Sequence, residues 1–104
     1  MNIKKCIFVA LMKNNKLTKV RNNLDKLDLS ILSLIKKRTL LVNQVIKIKK
    51  YKSQIVDKSR ITEVLNKIKK NSIKKKIDPQ ITKKIWKSMI KSYIDYERKK
   101  FKIK

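Results

Sequence analysis

The stretch LTKVRNNLDKLDLSILSLIKKRTLLVNQVIKIKK, from Leu17 to Lys50, decides the fold class. Leu17, Val20, Leu24, Leu27, Ile31, Leu34, Arg38, Leu41, Val45 and Ile48 follow one another in steps of three and four. That is the spacing of a helical seam, and nine of these ten residues are apolar. A helix over this stretch is about 50 Å long at about 1.5 Å per residue. A compact monomer of 104 residues cannot cover a seam of that length. The seam therefore predicts an oligomer, most simply a dimer.

Outward from the seam the elements shorten. Tyr51 to Val56 reads as a short polar connection. Asp57 is placed to cap a second helix, whose apolar positions are Ile61, Val64, Leu65 and Ile68. Asn71 to Ile77 reads as a Lys-rich loop. Asp78-Pro79 is a strong helix start, with Asp as cap and Pro at the first helical position. The third helix then carries Ile81, Ile85, Trp86, Met89, Ile90, Tyr93, Ile94, Glu97 and Phe101. The chain has no Gly and one Pro, which argues against hairpin turns and a β-rich fold. The expectation is all-α, with long, short and medium helices, no internal repeat and no second domain.

On the other side lies Met1 to Met12, with a basic start at Lys4 and Lys5 and the apolar run Cys6 to Met12. The run is at the lower limit for an export signal, lacks a small-residue cleavage site and is far too short to span a bilayer. Residues 1–15 read as an uncleaved, loosely ordered extension, and residues 16–104 as the helical domain.

Composition removes several chemistries. There is no His, so Ser-His and Cys-His nucleophile pairs and most zinc sites are excluded. The absence of Gly excludes a phosphate loop and a dinucleotide fingerprint. One Cys, Cys6, permits no intramolecular disulfide and fits a reducing, cytoplasmic setting. No metal and no cofactor are expected. The net charge of +24 suits a binder of nucleic acid or acidic membranes. It equally suits a general compositional bias to Lys, and the Lys residues are scattered along the whole chain rather than clustered, which favours that reading.

The arginines stand out against this background. There are four: Arg21, Arg38, Arg60 and Arg98. Arg binds a carboxylate through two parallel hydrogen bonds, which Lys cannot do. Arg38 interrupts the apolar seam, where an unpaired guanidinium is costly. A polar seam residue can simply fix coiled-coil register. Lys49, however, follows 11 residues later, projecting from nearly the same face about 16 Å along the axis. A long Arg and a long Lys can converge on an anion between them. Arg21 lies about 25 Å from Arg38 along a straight helix. It reaches the same site only from the partner chain of an antiparallel dimer, and its spacing fits a surface residue equally well. Arg60 sits in the first turn of the second helix, where a surface ion pair is the plain reading. Glu97 falls on the apolar face of the third helix, four residues after Tyr93, and calls for a cation.

From Arg21 to about Phe101 the chain resembles the all-helical, type II chorismate mutase family. The resemblance lies in Arg21, the run Leu27-Asp28-Leu29-Ser30-Ile31-Leu32-Ser33-Leu34-Ile35-Lys36-Lys37-Arg38, and Lys49. It continues in Val56-Asp57-Lys58-Ser59-Arg60, one residue shorter than the family's pattern, and in Ile85-Trp86 through Tyr93 to Glu97. The resemblance implies an intertwined helical homodimer with two sites, each built from both chains, with Arg21 reaching into the partner's site. It implies that Arg21 and Arg38 bind the two carboxylates of chorismate and that Lys49 binds the ether oxygen and a carboxylate. Asp57 and Arg60 would hold the hydroxyl end, and Glu97 would face the ether oxygen. Two positions depart from the pattern: Ile61 stands where Glu is frequent, and Tyr93 where Ser is frequent. Both are similar to the isochorismate-pyruvate lyase branch of the family. The expected function is therefore rearrangement of chorismate to prephenate, with isochorismate-pyruvate lyase second. A basic nucleic-acid-binding dimer and a purely structural dimer follow.

Overall fold

The computed structural model describes the backbone of residues 3–103 and the side chains of residues 14–102. Three α-helices account for nearly all of it: α1 (Ile3–Ile48), α2 (Lys58–Lys74) and α3 (Pro79–Ile103). A single 3-10 turn, Lys52–Gln54, lies between α1 and α2. The expected long, short and medium order is present, with no strand among the described residues.

α1 starts well before the seam. Residues 3–16 contain no Pro or Gly, and their Lys, Leu, Met and Ala are good helix formers, so nothing stops the helix short of Ile3. Of the stretch read as an extension, residues 1–15, the part from Ile3 onward is continuous with α1. Residues 1 and 2 lie outside the described residues.

The helices form two compact units, Met1–Leu40 and Leu41–Lys104. The first consists of α1 alone. Its described side chains from Asn14 to Leu40 are exposed except Arg38 and Thr39, which are half-buried. The seam residues Leu17, Leu27 and Leu34 stand 47%, 60% and 62% exposed. Ser30, Ser33 and Thr39 each turn the hydroxyl back to the carbonyl four residues earlier, which satisfies it without leaving the helix.

The second unit holds the end of α1, the turn, α2 and α3. Its core is small, with Ile46 and Ile55 as the buried apolar residues. α2 and α3 pack as a helical hairpin. Asp57 caps α2 as expected, its Oδ1 accepting the Arg60 N–H at 3.0 Å. Asp78 Oδ1 accepts the Gln80 N–H at 2.9 Å beside Pro79, the first residue of α3.

One boundary differs from the sequence reading. The Lys-rich stretch Asn71–Ile77 is helical as far as Lys74. Lys favours helix, and Ser72 is drawn inward: it is 4% exposed and 2.7 Å from the Thr82 hydroxyl of α3. Ser72 Oγ also donates to the Ile68 carbonyl at 2.6 Å, and Thr82 Oγ1 to the Pro79 carbonyl at 3.3 Å. The helix then stops in a Schellman motif. Ile77 N–H bonds the Ser72 carbonyl, Lys76 N–H bonds the Ile73 carbonyl, and Lys76 takes φ 58°. That position favours Gly, and this chain has none.

Candidate active site

The connection after α1 is more ordered than a polar loop. Gln54 Oε1 accepts the N–H of Lys50 at 2.8 Å and of Tyr51 at 3.0 Å. This closes the turn and brings Ile55 into the core at 6% exposure. Lys49, at the exit of α1, is thereby held facing inward. Its Nζ donates to Glu97 Oε2 at 3.1 Å, with a longer contact to the Ile55 carbonyl at 3.5 Å. The two side chains keep 19% and 12% of their exposure. The cation that Glu97 called for is Lys49, 48 residues earlier in the chain.

Tyr93 lies one turn before Glu97 on α3 and is half-buried. Its ring meets the Tyr96 ring edge-on, with centroids 6.3 Å apart and an interplanar angle of 87°. Tyr96 Oη donates to Asn43 Oδ1 on α1 at 2.6 Å. Lys100 Nζ lies 5.7 Å from the Tyr96 ring centroid.

Asp57 and Arg60 stand at the start of α2, both exposed. The Asp57 carboxylate is engaged with the backbone of the helix end, while the Arg60 guanidinium turns to Glu63 at 3.1 Å. The surface ion pair read for Arg60 thus exists, with Glu63 as its partner. Lys67 also binds Glu63, at 2.9 Å. The Lys67 ammonium, with help from Arg60, holds the Glu63 carboxyl below the usual carboxylate range. Ile61 follows, half-buried. Arg21 and Arg38 belong to the first unit, Arg21 exposed and Arg38 half-buried. Of the eight residues singled out from sequence, the second unit therefore joins Lys49 to Glu97, with Tyr93 one turn away.

Two cavities lie elsewhere in the second unit. One of about 370 Å³ sits between α2 and α3, bordered by Leu65, Ile68, Pro79, Thr82 and Lys83, and none of the expected site residues lines it. The other, about 280 Å³, is bordered by Lys52, Ile55, Lys102 and the fourth arginine, Arg98. Among the described residues no group of His, Cys, Asp or Glu is placed to hold a metal ion. No helix among them is long and apolar enough to cross a membrane.

The chain, with a lysine just after its first helix paired to a carboxylate on its last, matches the family model for chorismate mutase type II over residues 20–98. The chain belongs to the type II chorismate mutase family. Its reaction is the rearrangement of chorismate to prephenate, and the enzyme is an isomerase. Nothing among curated proteins or solved structures matches the chain. All eight residues read as site residues fall within the span matched to the chorismate mutase family.

Sequence reasoning missed Asn43 and Tyr96. Asn43 lies off the seam, between Leu41 and Val45, and reads as a surface residue. Tyr96 does carry a signal, since it follows Tyr93 at helical spacing and precedes Lys100 by one turn. Gln54 was also missed, because a side chain that closes a turn on two backbone amides leaves no periodic trace.

Proposed function

We propose that Lys49 is the principal transition-state donor of this chorismate mutase and that Glu97 works beside it. The rearrangement is unimolecular and pericyclic, so no nucleophile is required. The enzyme must hold a flexible dianion in its compact conformer and stabilise negative charge growing on the ether oxygen as that bond breaks. An ammonium held by the Ile55 carbonyl and the Glu97 carboxylate is a preorganised donor with little room to reorient. Glu97 adds a second donor to the ether oxygen when protonated, because an ionised carboxylate only accepts.

Around this pair the remaining roles follow the family resemblance. Arg38 and the partner chain's copy of Arg21 bind the two substrate carboxylates. Asp57, Arg60, Ile61 and Tyr93 shape the hydroxyl end. The site is then completed by a homodimer, and the bare seam of α1 supports this reading. Leu17, Leu24, Ile31 and Leu41 are each about half exposed or more, and such a row of apolar side chains needs a cover. The domain comprises residues 16–104, with residues 1–15 outside it, and the setting is cytoplasmic. The +24 charge is compositional.

The observation that carries the proposal is the 3.1 Å Lys49–Glu97 pair, formed inward between two different helices. The test is the loss of chorismate absorbance, with prephenate identified as product, for wild type and Arg38→Ala. Turnover in wild type, lost in a variant that still folds and dimerises, is the expected result. An Arg38→Ala variant with wild-type turnover would remove Arg38 from the site. A wild type that instead releases pyruvate from isochorismate would overturn the substrate assignment.

A further inference from the structure

The tyrosine next to Glu97 turns its hydroxyl to α1 and takes no part in the Lys49–Glu97 hydrogen bond. Tyr96 gives its hydroxyl to Asn43 at 2.6 Å, a short bond for two neutral groups, and the pair is half-buried. Asn43 precedes Lys49 by six residues on α1, and Tyr96 precedes Glu97 by one on α3. The bond therefore ties together the two helices that carry the Lys49–Glu97 pair, about 9 Å along α1 from Lys49.

We infer that the Asn43–Tyr96 bond is a positioning clamp for the proposed donor pair. The inference rests on the roles proposed above for Lys49 and Glu97. The need for a clamp follows from the side chains. Lys49 is long and flexible, and its ion pair with Glu97 tolerates some sliding of α3 along α1. The main apolar anchor of α1 in this unit is Ile46, and apolar contacts have no directional preference. A hydrogen bond does have one. It fixes the distance and register between the helices to a fraction of an ångström, which is what two donors aimed at one ether oxygen require. Asn is a poorer helix former than Leu or Ala, and at Asn43 the bond to Tyr96 offsets that cost.

The same ring sets a second position. Tyr93 packs edge-on against Tyr96, so fixing the Tyr96 hydroxyl also fixes the wall against which Tyr93 rests. Tyr96 and Asn43 thus act through Lys49, Glu97 and Tyr93, touching no reacting atom themselves.

Tyr96→Phe is the discriminating variant. It keeps the ring, and with it the contacts to Tyr93 and Lys100, and removes only the donor. With chorismate as substrate, kcat is expected to fall about tenfold while KM changes less than about twofold, as for a misplaced donor rather than a lost binding contact. Asn43→Ala should show the same split. The double variant should fall no further than either single one, because the two residues share one bond. Far-UV circular dichroism of each variant checks that the helices persist. Wild-type kcat in a folded Tyr96→Phe overturns the clamp, as do losses that multiply independently in the double variant. Wild-type protein without turnover on chorismate would instead overturn the mutase roles on which the clamp rests, so the two failures separate.

Discussion

Two lysine–glutamate pairs in the second unit use the same chemistry in opposite surroundings. Glu63 and Lys67 bridge one turn of α2 at 2.9 Å, with side chains 51% and 64% exposed. Lys49 and Glu97 meet at 3.1 Å across 48 residues, with 19% and 12% exposed. The shorter pair is the less consequential one. Water screens it, and holding two long side chains together costs about as much entropy as the attraction returns. The inward pair operates with fewer waters, so each of its charges acts more strongly on whatever enters beside it. Position decides the value of a charge here, and separation at the scale of tenths of an ångström does not.

The strongest way to break this comparison is to remove a lysine from each pair. Lys49→Ala should lower kcat by about a hundredfold or more, the usual cost of one preorganised donor. Lys67→Ala should leave kcat within about twofold, because an exposed pair contributes little. Initial rates of chorismate loss, with helicity and dimerisation checked for both, decide it. A fully active Lys49→Ala would remove the proposed mechanism.

A smaller change sharpens the role of Glu97. Glu97→Gln offers an amide N–H donor together with an oxygen that can accept from Lys49, and should keep kcat within about tenfold of wild type, whereas Glu97→Ala loses both and should fall further. The check is kcat of both variants with chorismate. A Glu97→Gln variant as impaired as Glu97→Ala would show that the site needs the charge of Glu97 rather than a donor.

These two pairs also mark what the sequence could reveal. Lys49 and Glu97 were legible because each broke a pattern: a carboxylate on an apolar face, and a lysine in phase with a seam arginine. The three helices were legible from periodicity and from the Asp57 and Asp78-Pro79 starts, since caps and apolar spacing are local. The extent of α1 before Leu17 was not, because a stretch with neither breaker nor amphipathic period gives no boundary. The end of α2 was missed for another reason. Ser72 looks like a loop residue, and only its bond to Thr82, ten residues on, makes it part of a helix interface. Asn43 and Tyr96 were hidden in the same way, their meaning lying in a contact 53 residues long.

Lys76 carries the comparison beyond ion pairs, since its charge is irrelevant to its effect. It occupies the left-handed position of the Schellman motif at φ 58°, which strains any residue with a Cβ. Lys76→Gly should stabilise the fold by about 1 kcal/mol, less what Gly gives back through a freer unfolded chain. Lys75→Gly, at φ −88° next door, should destabilise it. Thermal or urea unfolding of the two variants reads the difference. Equal effects would mean that charge, not backbone, governs this turn.

The smallest expected effect belongs to Glu63, and its sign can be worked out. Lys67 and Arg60 lower the Glu63 carboxyl below its ordinary range. A carboxyl lowered in the folded state stabilises the fold fully above its ordinary unfolded value and loses that contribution as pH falls through the lowered folded value. Glu63→Gln should therefore melt slightly below wild type at neutral pH and low salt, by less than about 2 °C. The gap should close in acid, where Glu63 is protonated, and also at about 1 M salt, where screening acts within about 3 Å. A gap that persisted under both conditions would mean that Glu63 contributes through packing, and the contrast between the exposed and the inward pair would then have to be argued on shape rather than charge.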